Sequence, residues 1–500
     1  MNSMLNGLKN ATNYTMTENG AITHKTTNSD LLDMFAMGAA MRNRPDSDII
    51  LMFRKAFHEN PVYALKCLFY IRDVRGGQGE RRFFRTVIKD MASYDAEARE
   101  AIARNLDKIP TFGRWDDLYA FVGTPLQDKA MIFIKNQLAL DVQCKTPSLL
   151  AKWMPSENAS SKETIRLGQI TRQYLKMTHK EYRKVLSALR TRINIVEKLM
   201  SENRWDEIEF DKIPSKAGLI YKNAFARRDI IKAKYEAFAK DKNTKVNAGA
   251  LYPYEVVEKA LRVSDSTDRE MVNKYWANLT DYFDGSKLNA LAVVDTSGSM
   301  HGTPINVAIS LGMYCAERAG GLFANHYISF ASRPQLIECE GVDFVDKVHR
   351  IYRTNLVDNT NIEAVFDLLL QTAKYNKCSQ DDLPQNILII SDMEFDMASC
   401  HRSYNYKTHQ YESEYGFSQD QADTVLEGIA KKWSAEGYKM PHLIFWNVDA
   451  RQNNIPMLGN GPISYVSGFS PSIFQSILTG KSGYELMMEI LKAPRYEVIQ

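Results

Sequence analysis

Residues 295–299 read Asp295-Thr296-Ser297-Gly298-Ser299, directly after the apolar run Leu291-Ala292-Val293-Val294. A strand ending there puts one carboxylate and two hydroxyls on a single turn. Their alternate spacing lets three oxygens face one point above the strand's carboxyl edge. Oxygen donors without His or Cys suit a hard divalent cation, Mg²⁺ most simply, or Mn²⁺. One aspartate and neutral hydroxyls leave such an ion under-neutralised, so it seeks an acidic group from outside, which is the chemistry of a binding device. Two further pieces stand at matching places. Thr360, in Asp358-Asn359-Thr360-Asn361, lies just ahead of a helix and can add a hydroxyl, and Asp392 ends the apolar run Ile387-Leu388-Ile389-Ile390-Ser391. The Asp-x-Ser-x-Ser segment alone is also compatible with a turn carrying an N-cap serine. Glu394 and Asp396 add carboxylates near the same edge, either tuning an ion through outer contacts, capping the next segment or remaining solvated.

A second chemistry comes from cations. Arg72, Arg75, Arg81 and Arg82 flank Gly76, Gly77 and Gly79, which would let a backbone approach phosphates closely. Lys180, Arg183, Lys184, Arg190, Arg192, Arg227 and Arg228 can neutralise more of a polyanion. Between Thr146 and Lys245 there are 22 Lys and Arg against 12 Asp and Glu, while the whole chain carries a net charge of only +3. A basic middle segment between acidic flanks points to a polyanion-facing surface, and solvated helix faces are the competing account. For Arg72-Asp73 and Glu80-Arg81 that account is structural: helix ends, local ion pairs and interhelical hydrogen bonds. Tyr182, Trp205, Tyr221 and Phe225 fall at helical spacing and are read as core.

Enzymatic chemistry finds little support. Nine histidines form no H-E-x-x-H, Ser297 lacks the G-x-S-x-G elbow, and Gly76-Gly77-Gln78-Gly79 lacks the Gly-Lys-Ser/Thr ending of a P-loop. A metal-dependent hydrolase is the weakest alternative, since one ion with hydroxyl ligands activates water poorly compared with zinc.

These groups need elements to position them. The first 28 residues, rich in Asn and Thr, predict an irregular arm or short strands. From Ser29 to about Phe283 the pattern predicts successive amphipathic helices. Ser29 caps the first, Pro61 opens another, Thr178-His179-Lys180-Glu181 is a capping box for a helix through about Met200, and Thr267-Asp268-Arg269-Glu270 is a second box. No sharp repeat period appears, and a solenoid or ring of divergent helical hairpins is the natural architecture. After Asp284-Gly285-Ser286 the period changes. Strands over Asn289–Asp295, Leu322–Phe330, Asn386–Asp392 and His442–Val448 alternate with helices over about Pro304–Ala319, Ile362–Tyr375 and Gln419–Glu436, which predicts a doubly wound, mostly parallel sheet. The predicted organisation is an arm over 1–28, a helical-repeat domain over 29–285 and an α/β domain over 286–500.

With 500 residues, 44% hydrophobic and 25% charged, the chain has the composition of a soluble multidomain protein. No apolar stretch approaches the roughly 20 residues that span a bilayer. The N-terminus has no basic segment leading into an apolar one, and six cysteines are scattered without C-x-x-C. A cytoplasmic protein with reduced thiols is expected.

The set Asp295, Ser297, Ser299, Thr360 and Asp392 resembles the metal-ion-dependent adhesion site of von Willebrand factor A domains over about residues 287–500. That resemblance implies serines and threonine at or near the ion, aspartates acting largely through water, and a position for a partner's carboxylate. In the N-terminal half, Phe69-Tyr70-Ile71-Arg72-Asp73-Val74-Arg75-Gly76-Gly77-Gln78-Gly79-Glu80-Arg81-Arg82 joins an apolar helix to a basic Gly-rich loop. Gly113-Arg114-Trp115-Asp116-Asp117-Leu118, the stretch Tyr182 to Arg190, Trp205-Asp206-Glu207-Ile208 and Ile213-Pro214-Ser215-Lys216-Ala217 follow in order. Together they resemble the group related to the TROVE-domain Ro autoantigens, in which a helical-repeat domain precedes a von Willebrand A domain. Only the general pattern matches, so no single contact residue carries over. The resemblance implies a non-enzymatic scaffold whose helical ring binds structured or damaged non-coding RNA. A metal-dependent protein-interaction module without RNA is the alternative.

Overall fold

Ser29 starts the first long helix as its spacing predicts: its hydroxyl accepts from the Leu32 amide at 3.2 Å and opens Asp30–Met37. The computed structural model describes residues 4, 12–193, 195–283, 285, 288–330, 334–354, 361–396, 401–405, 410–414, 424–458, 463–477 and 480–500. Helices Asp30–Met37, Asp46–Glu59, Pro61–Arg72, Arg81–Tyr94 and Ala96–Arg104 pack each on the next, so every apolar face finds a neighbour. Asn60 caps the helix that Pro61 begins, accepting from the Tyr63 amide at 3.1 Å.

The strand expected from Leu322 begins only at His326, and two helix boundaries also differ from the sequence reading. The Thr178–Glu181 capping box forms, but its helix is His179–Arg192, and a separate short helix, Val196–Ser201, follows an extended Ile195. The break falls in a stretch rich in β-branched residues, Thr191, Ile193, Ile195 and Val196, which favours helix weakly. The second box is not at Thr267. Asp265 caps Ser266–Ala277 instead, accepting from the Asp268 amide at 2.8 Å, while the Asp268 carboxylate takes Lys222 at 2.6 and 2.7 Å.

The described part of the N-terminal arm contains a small antiparallel hairpin of β1 (Tyr14–Met16) and β2 (Ile22–His24). In the C-terminal half, β3 (Ala290–Asp295), β4 (His326–Phe330), β5 (Gln335–Glu338), β6 (Asn386–Ser391), β9 (His442–Asn447) and β10 (Ile463–Ser467) form one sheet in the order β10-β9-β6-β3-β4-β5. A detached ribbon of β7 (His401–Asn405) and β8 (Gln410–Glu414) lies between β6 and β9 in the chain. All neighbours in the six-stranded sheet are parallel except edge strand β5. This is the doubly wound, mostly parallel sheet after a helical region that the alternation predicts. Helix Thr303–Arg318 lies on β3, and a Cβ at Gly312 would stand 2.5 Å from Val294 Cγ2, so only glycine permits that approach. Helix Ile362–Tyr375 has the predicted bounds, whereas β5 and β10, with fewer flanking signals, were not foreseen. Among the described residues no helix is long and apolar enough to cross a membrane.

Buried charge ties the parts together. Arg72 and Asp117 are both buried, joined from Nε and Nη2 at 2.8 Å, and Arg85 Nε reaches the other Asp117 oxygen at 2.6 Å. Asp73, fully buried, binds Arg495 and accepts from Tyr496 Oη at 3.0 Å, which docks the short helix Pro494–Glu497 on the helical region. Removing one member of such a pair strands the other without solvent, at a cost of about 3–5 kcal/mol. Asp117→Ala is therefore expected to lower unfolding free energy by that amount in urea titration. A loss below about 1 kcal/mol would show that Arg72 has another way to be satisfied.

Candidate metal cluster and polyanion cavity

Ligand chemistry in an open parallel sheet gathers beyond the strands' carboxyl ends, and β3 and β6 lie side by side there. Asp295 and Asp392 are both buried. The Asp295 carboxylate accepts from Ser391 Oγ at 2.5 Å and from the Ser297 amide at 2.9 Å, and the Ser297 and Ser299 hydroxyls are 3.0 Å apart. Asp392 accepts from the Glu394 amide at 3.1 Å, and Met393 between them holds φ of 65°, a conformation bulky residues avoid. Burial, then the Asp392 charge, pushes the Asp295 carboxyl above its ordinary range, and burial raises Asp392 as well. Four of the five expected ligand residues are thus brought together. Thr360 lies outside the described residues. Among those residues no three His, Cys, Asp or Glu form a metal-holding group, so the donor set rests on hydroxyls as much as on carboxylates.

Glu394 neither caps a helix nor stays in solvent. It is buried, accepts from the Glu18 amide at 2.7 Å and from Asn454 Nδ2 at 2.8 Å, and burial pushes it up to about 7. Asp396 bridges to Gly20 through the backbone. The arm therefore docks beside the cluster, with Thr17 Oγ1 donating to the Phe395 carbonyl at 2.7 Å. Arg451, from the loop after β9, contacts both Asp392 and Glu18. Nothing local in the sequence marks Glu18 or Arg451 as neighbours of Asp392.

The cations gather elsewhere. A cavity of about 2030 Å³ opens within the helical region and is lined by thirteen Lys and Arg against three Glu. It contains Arg72, Arg75, Arg81, Arg82, Lys180, Arg183, Lys184 and Arg190 of the expected set, and adds Arg42, Arg114, Lys152, Lys198 and Lys216. These thirteen divide by what they already hold. Arg72 is consumed by Asp117. Arg190 donates to the Ala151 and Met154 carbonyls and to Ser156 Oγ, at 2.8 to 2.9 Å, so its role is structural. Arg75 donates to the Thr111 carbonyl and Arg82 to the Arg42 and Arg44 carbonyls. By contrast, Arg81, Lys180, Arg183 and Lys184 are exposed and make no ion pair among the described residues. Partial enclosure, then the Arg85 and Arg114 guanidiniums, lower the Arg81 pKa from its ordinary value, a sign of like-charge crowding.

Three expected contacts fall outside this wall. Arg192 donates to the Val142 carbonyl at 3.0 Å and does not line the cavity. Arg227 and Arg228 line a separate hollow of about 650 Å³, where Arg228 sits over the Trp205 ring at 5.0 Å. The glycines of the 76–79 loop approach protein, not an open face. A Cβ at Gly77 would meet the Tyr70 carbonyl oxygen at 2.0 Å, and Gly79, at φ 66°, packs against Tyr252 Oη. Tyr182, Trp205 and Phe225 are core as read, whereas Tyr221 is only half-buried and lines the smaller hollow. Besides Tyr182 the cavity's aromatics are Trp153, Tyr252, Tyr254 and Phe469, three of them under cations: Arg114 over Trp153 at 4.0 Å, Lys216 over Tyr252 at 5.2 Å and Arg42 over Phe469 at 3.5 Å. The adjacent Lys152-Trp153 is the one sequence signal that points to them.

Comparison with known proteins finds family-model matches in both halves. Residues 289–493 match a domain of unknown function, DUF7788. An uncharacterized protein of Acanthamoeba polyphaga mimivirus is 29% identical over 512 residues, covering 94% of this chain and 85% of that protein. Among solved structures, the Ro (RSR) protein of Deinococcus radiodurans superposes with a TM-score of 0.39 and 12% identity, over 90% of this chain and 93% of that one. A superposition that loose fixes no residue correspondence. Residues 17–148 and 134–285 match a second domain of unknown function, DUF2828, across more than half of the sequence, and the chain belongs to that family.

Proposed function

We propose that this protein is a non-enzymatic scaffold that binds RNA, structured non-coding RNA in particular, in the cavity of its helical unit (residues 29–285). Its sheet unit (residues 286–500) holds a divalent cation that engages an acidic partner. The observation that carries the RNA reading is the excess of thirteen cations over three Glu around one cavity, four of those cations without a partner among the described residues. A polyanion neutralises them and releases counterions, and the half-buried rings of Trp153, Tyr252 and Tyr254 beside them offer faces on which bases stack.

The experiment is titration of a fluorescent single-stranded RNA at several salt concentrations. Changing Arg81, Lys180, Arg183 and Lys184 together to Gln is expected to weaken binding by roughly tenfold or more near physiological salt, and to flatten the slope of log K against log salt by about 3. These four make no side-chain hydrogen bond or ion pair among the described residues, so thermal stability should be unchanged. An unaltered affinity and slope would remove the cavity as the binding surface.

For the cation, the donor set of Asp295, Ser297, Ser299 and Asp392 suits Mg²⁺ or Mn²⁺, and two buried carboxylates with a buried, unbonded Asp392 oxygen fit a positive ion. When bound, the ion supplies a coordination position for an outside carboxylate. Saturating Mn²⁺ should raise the melting temperature of the protein, equivalent to about 2.7 kcal/mol at a hundred times Kd. Asp295→Ala and Ser297→Ala should abolish that rise while leaving RNA affinity intact. A melting curve indifferent to Mn²⁺ would remove the metal from the account.

A further inference from the structure

The Asp295–Asp392 pair is buried, and two carboxylates side by side away from water demand a compensating positive charge. The charge that the fold sets against them is Arg451, and its fit is poor. Nη2 stands 3.2 Å from Asp392 Oδ2, within ion-pair range but not aligned as a hydrogen bond, so that Asp392 Oδ2 and Arg451 Nε both remain buried without a hydrogen-bond partner. The same guanidinium makes a closer ion-pair contact on its other side, where Nη1 stands 2.8 Å from Glu18 Oε2. Glu18 belongs to the N-terminal arm, whose Thr17 and Asn19 donate to the Phe395 and Glu394 carbonyls. One arginine thus bridges the metal cluster and a segment more than 370 residues away in sequence.

We infer that Arg451 is the cluster's built-in counter-cation, displaced from Asp392 when a divalent ion binds, and that the displaced guanidinium passes wholly to Glu18 and tightens the arm. Resting on the metal reading above, this adds a residue that sets the site's affinity and a segment that reports its occupancy. A divalent ion and a guanidinium compete for one carboxylate oxygen, so the site binds metal more weakly with Arg451 present than without it. The misaligned contact is suited to such an exchange, because little hydrogen bonding is lost when the guanidinium leaves.

The test is calorimetric titration of Mn²⁺ into the full chain and into Arg451→Gln, with amide hydrogen exchange of wild type followed in parallel. Arg451→Gln should bind Mn²⁺ at least about tenfold more tightly than wild type. In wild type, Mn²⁺ should slow exchange over residues 14–24. Equal or weaker binding by a folded Arg451→Gln protein overturns the counter-cation role. If that variant does not fold, wild type decides alone: metal binding that leaves exchange of the arm unchanged overturns the handover. If neither protein takes up Mn²⁺ at millimolar concentration, the metal reading itself fails, and this inference falls with it.

Discussion

Two buried carboxylates, Asp73 and Asp117, govern the geometry of the helical half. Each lies out of solvent, so each must be saturated by donors brought from distant parts of the chain. Asp117 takes Arg72, Arg85 and the Arg114 amide, while Asp73 takes Arg495, the Tyr496 hydroxyl and the Arg75 amide. Between them runs the 73–80 loop, folded onto its own helix by amides of Gln78 and Glu80 that donate to the Tyr70 and Ile71 carbonyls. The loop's far side meets the end of β10, where Gln78 accepts from the Ser470 amide. A buried ion pair adds little net stability, but it tolerates few alternative arrangements. The cavity wall carrying Arg75, Arg81 and Arg82 hangs from this junction.

The basic middle of the sequence conceals two populations of cations. Arg72 and Arg190 are used up in holding carbonyls and carboxylates, and Arg81, Lys180, Arg183 and Lys184 are left over. Local sequence cannot separate them, because the partners lie far off: Asp117 for Arg72, and the Ala151–Ser156 stretch for Arg190. Charge density was legible and charge availability was not. The same holds for the glycine loop, whose composition suits phosphate but whose space is filled by Tyr70 and Tyr252.

Elements with a local cause were legible. The Thr178–Glu181 box, the Pro61 start and the apolar runs ending at Asp295 and Ser391 each act within a few residues, and the fold places them as read. The helix expected to run to Met200 stops at Arg192 where β-branched residues accumulate, and Asp265 takes the capping role assigned to Thr267, since a carboxylate two residues earlier is available to the same turn. The sheet's carboxyl edge brought Asp295, Ser297, Ser299 and Asp392 together because parallel strands must end on one side. Glu18 arrives there only through the docking of the arm, and Arg451 through the loop that follows β9, the parallel neighbour of β6.

The most direct test of a cavity-bound RNA is ultraviolet cross-linking of a short single-stranded RNA to the protein, followed by peptide mapping of the adducts. Cross-links are expected on the cavity aromatics Trp153, Tyr252 and Tyr254. Cross-links confined to the outer helix Asp229–Lys240, with none on the cavity wall, would contradict binding in the cavity.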